Sequence, residues 1–139
     1  MADINATGHG RLLEDYVALW NGDRSKLEAA AESIVVSDPG VGETVEGRDA
    51  FEAYLDDLRT AFPDFHVTID DVLSDGGTVM AEWTVTGTHE GEFGGIPPTD
   101  REMTLNGMDK ILIADDEVRE HRIYYDVRGL FEQLGVEEG

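Results

Sequence analysis

Apolar residues recur with the period of a helix through the first part of the chain and with the period of a strand through most of the rest. Leu12, Leu13, Tyr16, Val17, Leu19 and Trp20 repeat at helical spacing, which predicts an amphipathic helix that opens after Asn5 or Thr7 as N-cap and closes at Asn21-Gly22. A shorter helical segment is expected over 25–31, followed by a strand at Ile34-Val35-Val36 bounded by Asp38-Pro39-Gly40. From Asp49 onward, Phe51, Tyr54, Leu55, Leu58 and Phe62 form the clearest helical stripe in the sequence, and Pro63 ends it.

Beyond Pro63 the period falls from 3.6 to 2, and the runs 65–73, 78–88, 101–113 and 118–126 read as strands. Ser74-Asp75-Gly76-Gly77 and Ala114-Asp115-Asp116-Glu117 are short enough to be hairpin turns, so neighbouring strands should be antiparallel. The longer connection over 89–100 is Gly-rich and carries Pro97-Pro98, yet it holds Phe93 and Ile96, apolar residues that a purely solvated loop does not need. Leu130, Phe131 and Leu134 predict a terminal helix ended by Gly135. Helices first and a long antiparallel meander second define an α+β fold, with helices gathered on one side of a bent sheet that encloses an apolar pocket.

Composition sharpens this picture at three points. A length of 139 residues suits one domain spanning 1–139 with one core. The 31 acids against 10 basic residues give a net charge of -21, which argues against nucleic acid or an anionic membrane as partner. The acids come in scattered pairs such as Asp56-Asp57, Asp70-Asp71, Asp115-Asp116 and Glu137-Glu138, so they read as a folded acidic surface of the halophilic kind rather than as a tail. Cysteine is absent, which excludes disulfides, thiolate metal sites and cysteine nucleophiles. The first residues lack a basic region and an apolar run, and no stretch nears the ~18 apolar residues of a spanning helix, so a cytoplasmic protein is expected.

Candidate chemistry centres on acids near the sheet. Counting by twos places Asp109 on one face with Met103, Leu105, Gly107, Ile111 and Ile113, an acid among core residues that is either paired structurally or functional. Asp126 closes the last strand and precedes the terminal helix; position favours an N-cap, while a general base is the competing role. The last strand has no clean apolar face. If Asp126 enters the pocket, Arg122 and Tyr124 accompany it, Arg122 pairing an acid or binding an anionic or carbonyl group, and His121 then lies on the opposite, outer face. Trp83 shares the apolar side of its strand with Val79, Ala81 and Val85 and serves as core or pocket wall. Tyr16, Tyr54, Phe93 and Ile96 complete the candidate lining. His9, His66, His89 and His121 show no metal-ligand spacing, His66 falling on the wetter face of its strand, and no phosphate-binding loop, nucleophile elbow or dinucleotide fingerprint occurs. Neither metal nor cofactor is expected.

The run Thr86-Gly-Thr-His-Glu-Gly-Glu-Phe-Gly-Gly-Ile-Pro-Pro-Thr99, followed in order by Asn106-Gly-Met-Asp109, Glu120-His-Arg-Ile-Tyr-Tyr-Asp126 and Gly129-Leu-Phe-Glu-Gln-Leu-Gly135, resembles the SnoaL-like polyketide (ester) cyclase family. The resemblance implies an NTF2-like α+β cone and a cofactor-free intramolecular aldol closure that uses an aspartate as general acid/base. Asp126 matches that aspartate, and Arg122 departs from the aromatic that often follows Glu-His in the family. The expected mechanism has Asp126 removing a proton α to a carbonyl while Asp109 or Arg122 stabilises the enolate. The alternatives are a non-catalytic ligand-binding or dimeric scaffold, and an isomerase or epoxide hydrolase on the same fold. The resemblance also implies a homodimer paired through the outer face of the sheet.

Overall fold

The computed structural model describes residues 4–136, so the Glu137-Glu138 pair and the extreme N-terminal residues read above lie outside the described residues. The first amphipathic stripe forms α1 (Gly10–Trp20), with Leu12, Leu13, Tyr16 and Leu19 buried. The N-cap is neither Asn5 nor Thr7. His9 occupies the N-cap without a side-chain bond, Thr7 instead receives the His9 N–H on its hydroxyl at 3.0 Å, and Asn5 belongs to a preceding 3₁₀ turn, Ile4–Thr7.

The segment expected as a second helix is split. Arg24–Ala29 makes a 3₁₀ turn capped by Asp23, and strand β1 (Ala30–Ser37) begins at once, several residues earlier than the Ile34-Val36 run suggested. Its small residues Ala30 and Ala31 are fully buried, which periodicity over three apolar residues does not reveal. After the turn at Asp38 and a two-residue strand β2 (Val45–Glu46), α2 (Arg48–Ala61) follows the strong stripe, with Phe51 and Leu55 in the core.

The meander appears as expected: β3 (His66–Asp75), β4 (Thr78–Thr88), β5 (Glu102–Ala114) and β6 (Glu117–Tyr125) pair antiparallel in sequence. Asp115 and Asp116 both adopt positive φ, 54° and 59°, as a two-residue hairpin matching the twist of its strands requires. What the pattern did not foresee is the far edge, where β1 pairs parallel with β6 to give one curved, unclosed six-stranded sheet in the order β2-β1-β6-β5-β4-β3. Helix α3 (Val127–Leu134) closes the described chain and ends at Gly135 in the left-handed conformation, φ 75°.

Alternation is clean on β4 and β5. Val79, Ala81, Trp83, Val85, Met103, Leu105, Asp109 and Ile111 are buried on the inner face, toward α1 and α2. The outer face carries Thr, Glu and Lys, together with exposed Leu73, Met80, Met108 and Tyr124. No helix among the described residues is long and apolar enough to cross a membrane.

Candidate active site

Asp109 sits in the middle of β5, opposite Ala81 of β4 and Ile123 of β6. Because inward side chains recur every second residue, its diagonal neighbours on that face are Trp83 on one side and His121 on the other. Both reach it. The Trp83 indole Nε1 donates to Oδ1 at 2.7 Å, and His121 Nε2 lies 2.8 Å from Oδ2. Gly107, opposite Trp83, makes the first contact feasible: a Cβ there would overlap the indole ring, so only glycine lets the ring lie across β5 toward the carboxylate. Asp109 is 8% exposed and His121 4%.

The chain of contacts continues into α1, where the Tyr16 hydroxyl lies 2.7 Å from His121 Nδ1. Burial, reinforced by the Asp109 charge, pushes the Tyr16 phenol far above its ordinary range, so it keeps its proton. When the protonated Tyr16 donates to Nδ1, the ring hydrogen sits on Nε2, the nitrogen facing Asp109. Nε2 makes no aligned hydrogen bond with Oδ2, so the two groups are in close contact without one.

A second carboxylate, Asp38, follows β1. Tyr54 of α2 donates its hydroxyl to Oδ2 at 2.5 Å, while Tyr125 at the end of β6 and the Gly40 N–H each reach Oδ1 at 2.8 Å. Burial first, and the Asp38 charge second, raise both phenols well above their usual range. Both clusters open on one cavity of about 90 Å³, enclosed by the inner face of the sheet and by Leu13, Tyr16, Val17 and Trp20 of α1 with Tyr54 and Leu58 of α2. Its wall is otherwise apolar.

The sequence-derived candidates divide sharply. Asp109, Trp83, Tyr16, Tyr54 and Phe93 line the cavity. Ile96 does not; it pairs back onto Phe93 within the 89–100 connection. The parity expected for β6 is corrected. His121, Ile123 and Tyr125 face the cavity, so Arg122 and Tyr124 face outward, Arg122 binding Glu120 at 2.9 Å and Tyr124 being 57% exposed. Asp126 is likewise outside: it is exposed, caps α3, and accepts the Gly129 N–H on Oδ1 at 2.9 Å. The physical reason is register. His121 stands opposite the inward Ile111, and a strand of period two cannot turn both parities to one face. His66 is exposed, as expected, whereas His89 is fully buried between Phe62 and Phe93 with its Nδ1 on Thr99.

His121, Asp38, Tyr125 and Trp20 are site residues that the sequence reading did not select. The other parity of β6, with Ile123 and Tyr125 beside His121, carried the signal for two of them. No group of three or more potential metal ligands occurs among the described residues.

Comparison with known proteins agrees with this architecture. Over 92 residues the chain is 32% identical to the aklanonic acid methyl ester cyclase DnrD of Streptomyces peucetius, an alignment covering 66% of this chain and 63% of that relative, so the chain matches less than two thirds of the relative's length. TsrD of Streptomyces laurentii superposes with a TM-score of 0.80 at 27% identity, covering 91% of this chain and 94% of that one. A protein from Catenulispora acidiphila with a ketosteroid isomerase-like fold superposes with a TM-score of 0.78 at 18% identity over 91% of this chain and 93% of its own, a likeness of fold alone. The family profile described as SnoaL-like polyketide cyclase matches residues 10–134, and with the cone, its apolar cavity and its inward carboxylate already in place, the chain belongs to that family.

Proposed function

We propose that this protein carries out cofactor-free general acid/base chemistry, an enolisation or aldol-type ring closure, on a small carbonyl compound held in the apolar cavity. The observation that supports this is the Asp109–His121–Tyr16 chain at the cavity wall, a carboxylate, an imidazole and a phenol in succession. Asp109 is the base that takes a proton from the carbon α to the carbonyl, since a carboxylate with both oxygens already in contact retains free lone pairs toward the cavity. His121 and Tyr16 stand in succession behind it, and the phenol, kept protonated by burial, contributes hydrogen bonding to His121 rather than a proton to the reaction. In this reading Asp126 serves as the cap of α3 and Arg122 lies outside the reacting centre.

The relative named as an aklanonic acid methyl ester cyclase supplies the substrate class to try first, a methyl ester with an acidic α-position. The test is exchange of that α-proton in D₂O, followed by NMR, with ring closure followed by chromatography. Asp109→Asn keeps the shape and the contact with Trp83 but lacks a basic oxygen pair, and exchange should fall by at least about 10². Exchange at the wild-type rate in folded Asp109→Asn protein would remove Asp109 from the mechanism.

A further inference from the structure

The side chains that enclose the cavity include two carboxylates, Asp38 and Asp109, and neither a lysine nor an arginine. Arg122, the cation expected there, faces outward and pairs with Glu120. Asp109 has one basic neighbour, His121, whose two ring nitrogens lie against Asp109 and Tyr16. Asp38 has none. No ion pair among the described residues includes it, and its oxygens accept only from the neutral hydroxyls of Tyr54 and Tyr125 and from the Gly40 N–H. Both phenols feel its charge, which adds to burial in holding their protons. The net charge of the chain, -21, reinforces this negative potential rather than offsetting it.

We propose that Asp38 and the rings of Tyr54, Tyr125 and Trp20 form the seat of a protonated amine, so that this protein binds a small carbonyl compound carrying an ammonium group, an amino ketone or amino ester, in preference to a neutral or an anionic one. Aromatic rings crowd the carboxylate: Trp20 meets Tyr54 edge-on with ring centroids 5.7 Å apart, and Trp83 meets Tyr125 in the same way at 6.1 Å. A cation against such rings and a carboxylate gains from both, and the low dielectric of an apolar enclosure strengthens the gain. A carboxylate ligand would instead stand beside two like charges with no lysine or arginine to pair it. Size sets the second limit. The cavity of about 90 Å³ is smaller than the roughly 150 Å³ space in which an engineered apolar site binds benzene, so the part of a ligand that enters is smaller than a single ring, as an ammonium on a short aliphatic chain is. The inference rests on the proposed function only for the carbonyl part of the ligand. Its charge is tested by binding alone, so ligand charge and proton transfer at Asp109 stand or fall separately. A neutral methyl ester makes no use of the seat, and its exchange does not depend on the Asp38 charge.

Isopropylammonium, isopropanol and acetate are of similar size and differ in charge. Each is titrated into the full chain at one fixed ionic strength and followed by the indole N–H signals in NMR, which read the cavity directly because the two tryptophans of the chain, Trp20 and Trp83, both line it. Isopropylammonium should saturate and bind at least about tenfold more tightly than isopropanol, and acetate should give no saturable shift. Asp38→Asn keeps the shape and an acceptor oxygen while removing the charge, and the cation should then bind within about threefold of isopropanol. Attraction by the acidic chain as a whole does not mimic this loss, since removing one charge from a net -21 barely alters the general field. Melting curves show whether the variant is folded, and the order of the three ligands on the wild-type chain tests the proposal without it. Isopropanol bound as tightly as isopropylammonium, saturable binding of acetate in the same concentration range, no saturable shift with the cation, or a cation preference that survives in folded Asp38→Asn would each overturn the proposal.

Discussion

Asp109 and Asp38 each lie against two aromatic side chains at the wall of the same cavity, yet they are built on different foundations. Asp109 lies mid-strand, flanked by β4 and β6, with its partners Trp83 and His121 fixed by a two-residue register. Asp38 lies where β1 gives way to a loop, and its partners are two hydroxyls and a backbone N–H. A carboxylate gripped by three strands keeps its position while a proton comes and goes, which suits chemistry. One at a loop start lacks that three-strand grip. The contrast teaches that two carboxylates at one cavity wall need not share a role; the stiffness of what carries their partners separates them.

The comparison can be broken most directly by exchanging the two sites' defects. Asp109→Asn should lower α-proton exchange by at least about 10², while Asp38→Asn should leave exchange within about threefold, because only the first removes the proposed base. Equal losses at both positions, measured per folded molecule, would make the two carboxylates one functional unit.

Alkaline titration tests the phenols that attend each site. Tyr16, Tyr54 and Tyr125 are all raised by burial, so each binds its proton more tightly folded than unfolded. The stability this contributes is fully present below the unfolded value of about 10 and is lost as pH rises above it toward the folded-state values. With four tyrosines in the chain, the ultraviolet phenolate signal of the native protein at about pH 11 should correspond to at most one, the rest appearing together on unfolding. Early ionisation of two or more would show that one cluster is wetter than its geometry implies.

The smallest effect is expected at the third carboxylate, which serves as a reference for both. Asp126→Ala should cost about 1 kcal/mol of stability through the lost cap bond, read from denaturant midpoints, while exchange per folded molecule stays unchanged. A selective loss of rate without loss of stability would return Asp126 to the reacting centre.

Much of this was legible from period alone. The α2 stripe from Phe51 to Phe62, the four meander strands and the inward Asp109 follow from spacings of 3.6 and 2, because burial of one face is a local consequence of side-chain direction. The last strand resisted the same treatment. Its inner parity holds His121 and its outer parity holds Arg122 and Tyr124, so neither reads as apolar, and weight given to Asp126 selected the wrong face. Polar residues recruited into a site erase the alternation that would have located them.

By itself, then, the amino-acid order determined the α+β class, the hairpin turns, the acidic composition and the presence of one acid in the core, all set by interactions within a few residues or by composition. Only the tertiary structure decided the partners of that acid, the parallel docking of β1 on β6, the meeting of Asp38 with Tyr54 and Tyr125 across 16 and 87 residues of sequence, and the capping of α3 by Asp126. These depend on which distant segments pack together, and packing between distant segments leaves no periodic trace in either of them.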